Sequence, residues 1–162
     1  MAGGIEARIG AISEVTSSEG EGKPCPFCGI INGKQEHFDI AENKLAKCVM
    51  SLEGHPIIFT KKHLTKLDLD KSVGIDDMLA VFELGLQLVP IVEGVYNATG
   101  FNIVANIGES AGQEIPHIHA HLVPRIEGDS GMRVVITNRP RKRDFPLMAD
   151  AIKSQHIART SG

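Results

Sequence analysis

Three of the seven histidines in this chain of 162 residues occupy alternate positions of one short stretch, at His117, His119 and His121. Apolar residues fill the positions between them, and this period of two is typical of a half-buried β-strand. Alternate side chains of a strand point to the same face, so the three imidazoles are expected to line one side of it. Because imidazole titrates near neutral pH, binds metals and acts as a nucleophile, the row indicates a chemical site.

The histidine row has three interpretations: a polar strand face without function, a metal site, or a row that faces a cleft. With a rise of about 3.3 Å per residue, the outer two Cα atoms lie roughly 13 Å apart. Zinc–nitrogen bonds are only about 2.0–2.1 Å long, so one zinc ion shared by all three imidazoles would be strained. A row facing a cleft is favoured, in which one imidazole attacks and its neighbours donate protons, fix tautomers or bind an anion.

A second group that could do chemistry is the motif Cys25-x-x-Cys28. Taken alone, the motif fits half of a zinc site, a redox pair or a turn. A redox pair should open a helix beside a parallel sheet, whereas Pro24, Pro26 and Gly29 favour a turn. The chain has three cysteines, an odd number that fits a reducing compartment better than a disulfide framework.

The amino-acid composition is that of an ordinary globular protein. The chain is long enough for one domain with its own core. Hydrophobic residues make up 42% of it and the net charge is −3, which provides no basic surface for nucleic acids. We find no run of about 20 apolar residues that could cross a membrane, and no pattern of a secretory signal. We therefore expect a soluble cytoplasmic protein. The basic run RPRKR at 139–143 is a solvated loop or a phosphate contact, and the loop is favoured.

One long helical segment dominates the pattern along the chain. Apolar residues recur at intervals of three and four between Ile75 and Val92, which predicts an amphipathic helix. Ser72 is its expected N-cap, Gly100 its stop, and Pro90 should kink or divide it.

Strand-like segments surround this helix. The segments 44–52 and 55–62 predict a hairpin with Cys48 on its core side, and a final helix is expected at 145–158. The strands do not alternate regularly with helices, which predicts an α+β fold: an antiparallel sheet of about five strands packed on one long helix, with short terminal helices. Further strands are predicted at 101–108, 117–124 and 132–138, and a short helix within 1–22.

The stretch HIHAHLVPR resembles the signature of the histidine triad (HIT) superfamily. The resemblance extends upstream, where Asn106 lies eleven positions before the first triad histidine and the pair Gly112–Gln113 follows it. GHPIIFTKKH is similar to another strand of that family and supplies His55 and His63. Over about 25–128, the chain is similar to small Hint-like or Fhit-like nucleotide hydrolases of the microbial type that carries a CxxC motif and zinc.

This resemblance implies a role for each histidine. His119 is expected to attack the α-phosphorus of a nucleotide and to form a covalent nucleotidyl-histidine. His121 is expected to stabilise charge on the phosphate. His55 is expected to complete a tetrad with the triad, whose first member is His117, and to orient the row. The nucleotide-binding residues implied by the family pattern are Asn106, Gly112, Gln113 and Glu114.

Two positions depart from the family pattern. Glu114 stands where the best-known branches carry Ser or Thr, whose hydroxyl donates to the phosphate or the leaving group, and an ionised carboxylate cannot donate. Lys47 stands eight residues before His55, where several branches place Asp or Asn for the ribose hydroxyls. The preferences for leaving group and nucleoside therefore stay open.

The family resemblance also implies a structural zinc ion. A Cys₂His₂ set around tetrahedral Zn²⁺ has no open position, so the metal would tie the N-terminal segment to the histidine strand and take no part in the chemistry. The matching positions are Cys25, Cys28, His63 and His117.

The resemblance further implies how the chain is organised and what it acts on. It divides the chain into an N-terminal extension (1–22), a histidine triad domain (23–128) and a strand and helix extension of the same domain (129–162). It implies a homodimer that hydrolyses purine nucleoside phosphoramidates or dinucleoside polyphosphates. Two alternatives are a nucleotide-binding regulatory module with weak or no turnover, and a zinc-dependent hydrolase that uses the histidines as ligands.

Overall fold

The structure is a computed structural model that describes residues 24–67, 74–132 and 141–160. The chain divides into two compact units, Met1–Asp129 and Ser130–Gly162. Three predictions fall outside the described residues: the helix within 1–22, the cap at Ser72 and nearly all of the strand at 132–138.

Five antiparallel strands form one sheet in the first unit, as the sequence predicts. The strands are β1 (Asp39–Glu42), β2 (Ala46–Met50), β3 (Pro56–Thr60), β4 (Gly100–Val104) and β5 (His119–Arg125). Their order in the sheet is β1-β2-β3-β5-β4, so the histidine strand β5 lies between β3 and β4. The sequence pattern predicts all of them except β1, a short edge strand whose residues are mostly exposed.

The long helix α2, Ile75–Tyr96, covers one face of the sheet. Its residues Val81 and Leu84 pack with Ile58 and Leu122 in the main apolar core, where burial of each such side chain contributes about 1.5–3 kcal/mol. Among the described residues, α2 is the one helix long and apolar enough to cross a membrane by length and composition. Its packing against the sheet is that of a core helix.

The described N-cap of α2 is a glycine, and its C-terminal end differs from the prediction. Gly74 holds the N-cap position with a φ of 82°, a conformation that glycine adopts without steric cost. The helix ends at Tyr96, followed by Asn97 in the left-handed conformation. Gly100, the expected stop, is instead the first residue of β4.

Pro90 lies inside α2, which continues through it, so the prediction of a divided helix is wrong. Proline removes one hydrogen bond of the helix and crowds the preceding turn. The side chain of Pro90 is exposed, whereas Leu88 and Val92 on either side of it are buried. Because both of these residues pack in the main core, the two halves of the helix are held on the same sheet.

The opposite face of the sheet packs against a short helix, α1, Pro26–Ile31, which follows Cys25 directly. The prediction of a turn at the CxxC motif is therefore wrong. Proline at the first helical position lacks only an N–H that would have no partner, and its φ suits a helix. The buried residues of the second apolar cluster, on this face, are Phe27, Ile30, Val49, Ile57 and Phe59.

The second unit contains the helix α3, Phe145–Thr160, preceded by a 3-10 turn at Lys142–Asp144. The helix agrees with the one predicted at 145–158. In the described part of the basic run, Arg141, Lys142 and Arg143 are exposed.

Candidate active site

His119 and His121 lie on the face of the sheet that carries the second apolar cluster. Phe59 of β3 is directly opposite His119, and Ile57 is directly opposite His121. Residues directly opposite each other in antiparallel strands place their side chains on the same face. Both histidines therefore face the same side as α1, while Ala120 between them packs in the main core.

The ring of His119 is held by a backbone hydrogen bond. Its Nδ1–H donates to the carbonyl oxygen of His117 at 2.7 Å. Because Nδ1 carries the proton, Nε2 is unprotonated in the neutral ring and holds a free lone pair. Only 6% of the residue is exposed, so solvent has little access to the ring.

His121 forms a pair with His55, which precedes β3. His55 Nε2 and His121 Nδ1 are 2.9 Å apart, so one proton lies between the two rings. Burial lowers the pKa of both imidazoles below the ordinary value of 6.5. The negative charge of Glu53 opposes this shift at each pKa, and Glu114 also raises the pKa of His121. The pair is therefore neutral at pH 7, and the negative charges of two nearby carboxylates favour its protonation at lower pH.

His117 differs from the other two histidines because it is fully buried and precedes β5. Its Nε2–H donates to the carbonyl oxygen of Thr60 at 2.7 Å. The unprotonated Nδ1 then points at sulfur, 3.3 Å from Cys25 Sγ and 3.8 Å from Cys28 Sγ. Burial lowers the pKa of His117, which keeps the ring in the neutral form that can act as a ligand.

Cys25, Cys28, His63 and His117 form a group that we call the Cys/His cluster. Their ligand atoms all lie within 4.8 Å of one another, and Cys28 Sγ is 3.1 Å from His63 Nδ1. Burial, together with the neighbouring Cys25, raises the pKa of the Cys28 thiol. A cation at the centre would favour the thiolate instead, so two sulfurs and two imidazole nitrogens at this spacing fit a tetrahedral zinc ion.

The third cysteine, Cys48, has a thiol that is less reactive than that of an exposed cysteine. It is fully buried in β2 and belongs to the main core, as the sequence predicts. Burial raises the pKa of its thiol to about 12, so it stays protonated at neutral pH.

The loop before the triad is braced by its own side chains. Asn106 Nδ2 donates to the carbonyl oxygen of Gly112 at 3.2 Å, and Gln113 Oε1 accepts from the backbone N–H of Gly108 at 2.7 Å. Gln113 Nε2 also donates to the carbonyl oxygen of Ile115 at 3.0 Å. Both amides therefore shape the loop, and Glu114 projects from it as an exposed side chain.

Lys47 lies on the same face as His119, two strands away, directly opposite Phe59. Its Nζ is 2.5 Å from Asp39 and 3.8 Å from Glu42, both on the edge strand β1. The Lys47 ammonium lowers the pKa of the Asp39 carboxyl through this ion pair. Lys47 is thus already paired with carboxylates and directed towards the sheet edge.

Three residues at the site are absent from the sequence-based set. The ring of Phe27 contacts His117 and His119, Thr60 holds the His117 tautomer, and Glu53 acts on the His55–His121 pair. The position of Phe27 between the two cysteines was the one available indication. The other two act through a carbonyl group and through charge, which residue patterns do not reveal.

Comparison with known proteins identifies the family of this chain. The HIT domain model matches residues 49–128, which include His55 and the triad. A HIT-like protein of Methanocaldococcus jannaschii is 35% identical over 109 residues, which span 65% of this chain and 81% of that protein. The chain belongs to the HIT family. Cys25, Cys28 and Phe27 lie outside the matched HIT domain.

Other HIT relatives carry named activities. The adenosine 5'-monophosphoramidase of Saccharomyces cerevisiae is 31% identical over 68% of this chain and 68% of that enzyme. The adenylylsulfatase of Arabidopsis thaliana is 30% identical over 73% of this chain and 65% of that enzyme. Among solved structures, a zinc-bound histidine triad protein of Mycobacterium smegmatis is 25% identical with a TM-score of 0.58, covering 83% of this chain and 96% of that one.

Proposed function

We propose that this protein is a nucleotide hydrolase or transferase that acts at the α-phosphate through a covalent intermediate on His119. The observation that carries the proposal is the tautomer of His119, whose Nδ1 is bonded to a carbonyl oxygen and whose Nε2 is free. The named activities of the yeast and plant relatives, both cleavages at an adenylyl phosphorus, support the same chemistry.

The chemistry follows from the lone pair on Nε2. It forms a bond to the α-phosphorus while the bond from phosphorus to the leaving group breaks, and the leaving group takes that electron pair and a proton from solvent. Water then attacks the phosphorus and gives up a proton to solvent, the nitrogen–phosphorus electrons return to Nε2, and the nucleotide is released. The His55–His121 pair, next to His119, is in place to donate hydrogen bonds to the phosphate oxygens.

The loop residues Asn106, Gly112 and Gln113 are proposed to contact the nucleotide. Gly112 has a φ of 82°, and a backbone without a side chain lets N–H groups approach a phosphate closely. Glu114 is proposed to lie beside the leaving group, where its charge acts on His121. A negative charge at this position favours substrates with an amine leaving group, the purine nucleoside phosphoramidates, over dinucleoside polyphosphates.

The Cys/His cluster is proposed to hold one structural zinc ion. Bound zinc would supply cross-links between α1, the segment at His63 and the start of β5, and the chemistry at His119 would require no metal. The donor set and the zinc-bound relative of Mycobacterium smegmatis support this assignment.

The test of the proposed function is to trap and locate the intermediate. Incubation with adenosine phosphoramidate labelled on phosphorus should place the label on His119, and His119→Ala should lower turnover by roughly 10³-fold or more. His37→Ala serves as the matched control, because His37 bonds only Gln35 and Asp39 among the described residues. A His119→Ala variant with full turnover would refute the mechanism.

A panel of substrates defines the specificity. It compares adenosine and guanosine phosphoramidates, diadenosine tri- and tetraphosphate, and adenylyl sulfate at equal concentration. A higher kcat/KM for the phosphoramidates is expected.

A regulatory nucleotide-binding module is the second candidate. Glu114 cannot donate a hydrogen bond while ionised, so the hydroxyl that other branches direct at the leaving group is missing. Lys47, in ion pairs with Asp39 and Glu42, stands where those branches contact the ribose. This candidate predicts tight nucleotide binding by calorimetry without label on His119 and without release of product.

A further inference from the structure

Phe27 lies between the Cys/His cluster and the candidate nucleophile. Its ring centroid is 5.4 Å from that of His117, at an interplanar angle of 84°, and 5.2 Å from that of His119, at 55°. The residue is only 4% exposed. One rigid aromatic ring therefore contacts both a member of the Cys/His cluster and the ring expected to attack phosphorus.

The other contacts of Phe27 fix its position relative to β5. It stacks on Phe59 with centroids 4.4 Å apart and planes 12° apart, and Phe59 lies directly opposite His119. On its other side His119 meets the ring of His121 at 5.2 Å. Together with the hydrogen bond to the His117 carbonyl, these contacts set the direction of His119 Nε2.

The helix that carries Phe27 cannot hold it in place alone. α1 has six residues and no side-chain hydrogen bond at its N-cap, and a helix of two turns is unstable by itself. Cys25 and Cys28, which flank Phe27, lie 3.3 Å from His117 Nδ1 and 3.1 Å from His63 Nδ1. The position of Phe27 thus depends on the closure of the Cys/His cluster.

We propose that Phe27 is a positioning residue that couples metal binding at the Cys/His cluster to the orientation of His119. The inference rests on the proposed function, and it adds that a metal remote from the reacting atoms controls the rate of attack through one aromatic ring. The proposal also gives a function to the segment around Phe27, which lies outside the residues that match the HIT domain model, 49–128.

The first experiment uses the zinc-loaded protein and two variants of α1. Phe27→Leu removes the ring and keeps an apolar side chain, and Ile30→Val removes one methylene from the same helix and cluster. We expect single-turnover labelling of His119 to slow by roughly 10- to 100-fold in Phe27→Leu, because a small misplacement of a reacting group has effects of that order. The zinc content of both variants should stay at one per chain, and Ile30→Val should label at the wild-type rate.

A spectroscopic measurement separates positioning from a loss of fold. Deleting the Phe27 ring changes the ring-proton resonances of His119 by itself, so the measured quantity is the further change when Cd²⁺ replaces Zn²⁺ in the Cys/His cluster. This exchange should move the His119 resonances in the wild type and leave them in place in Phe27→Leu. If the labelling rate of Phe27→Leu equals that of the wild type, the inference is wrong.

The second experiment tests the coupling directly. Cd²⁺ prefers the same soft ligands as Zn²⁺ but is larger, so replacing one ion by the other alters the cluster in a protein that still carries metal. The exchange should change the labelling rate of the wild type and leave that of Phe27→Leu unchanged within about twofold. Equal effects of the exchange in the two proteins would overturn the inference, whereas absence of label on His119 in the wild type would instead overturn the proposed function.

Discussion

At the scale of single residues, the three alternating imidazoles differ in the group that holds each ring. His117 donates from Nε2 to the Thr60 carbonyl, and His119 donates from Nδ1 to the His117 carbonyl. His121 uses Nδ1 towards His55. The unprotonated nitrogen is therefore Nδ1 in His117, where it faces sulfur, and Nε2 in His119, where it is available to attack phosphorus. The backbone carbonyl group to which each ring donates therefore determines which of its two nitrogens is unprotonated, although the two side chains are chemically identical.

The negative charge of Glu53 should affect the pH at which activity falls on the acid side of the pH–rate profile. Burial lowers the pKa of His55 and of His121 below 6.5, and Glu53 opposes that shift at both. The neutral pair shares one proton, and protonation of both rings at low pH breaks their hydrogen bond. We expect kcat/KM to be constant near pH 7 and to fall below 6.5.

Removing the carboxylate should move this limb in a defined direction. Glu53→Gln lowers the pKa of the pair further, because a charge that favours the imidazolium forms is gone. The acid limb should then lie at lower pH than in the wild type. Glu127→Gln, at an exposed carboxylate outside the pair, is the control and should leave the profile in place. A limb that moves to higher pH would contradict this account.

At the scale of elements, α2 approaches the sheet closely at one glycine. A Cβ atom at Gly85 would lie 3.2 Å from Ile58 Cδ1 and 3.4 Å from Ile103 Cδ1, whereas nothing lies within 4 Å of one at Gly94 on the same helix. Gly85→Leu should destabilise the protein by about 1–3 kcal/mol through overpacking. Gly94→Ala should stabilise it by about 0.5–1 kcal/mol through helix propensity. Urea unfolding of the two variants checks both signs.

The short helix α1 gives a second prediction at this scale. Cys25→Ala removes one of the four proposed zinc ligands, so the variant should bind less zinc than the wild type, measured as metal per chain, and unfold at a lower temperature. Cys48→Ala, at the thiol in the main core, should retain zinc. Turnover that persists at a reduced rate after loss of zinc would agree with a structural metal, and complete dependence on the metal would favour the zinc-dependent hydrolase.

At the scale of the whole molecule, α2 leaves large apolar side chains exposed on the side away from the sheet. Leu79 and Leu86, two turns apart on that side, are 61% and 58% exposed. We predict that a second copy of the chain covers them, since an exposed apolar helix face is typical of a surface that binds another protein. Sedimentation should show a dimer, and Leu86→Glu should give a monomer that stays folded. Gln87→Glu, at the neighbouring exposed position, should leave the dimer intact.

Local patterns in the sequence determine much of this protein. The alternation around His119 predicts a strand, the period of three and four predicts α2, and the triad with its upstream residues indicates the family and the candidate nucleophile. The pairing of strands into an antiparallel α+β fold also follows from the order of elements. These features depend on spacing along the chain, which is directly visible in it.

Only the tertiary structure decides which groups meet. Cys25 and His117 are 92 positions apart, and local periodicity carries no record of such a contact. Pro26 and Gly29 favour a turn when considered alone, but the folded segment is helical, with Phe27 stacked on Phe59 and Cys25 against His117. Edge strand β1 and the proton positions of the imidazoles depend in the same way on partners brought close by folding. The sequence by itself therefore determined the candidate chemistry, and the tertiary structure decided which nitrogen of each histidine is free to perform it.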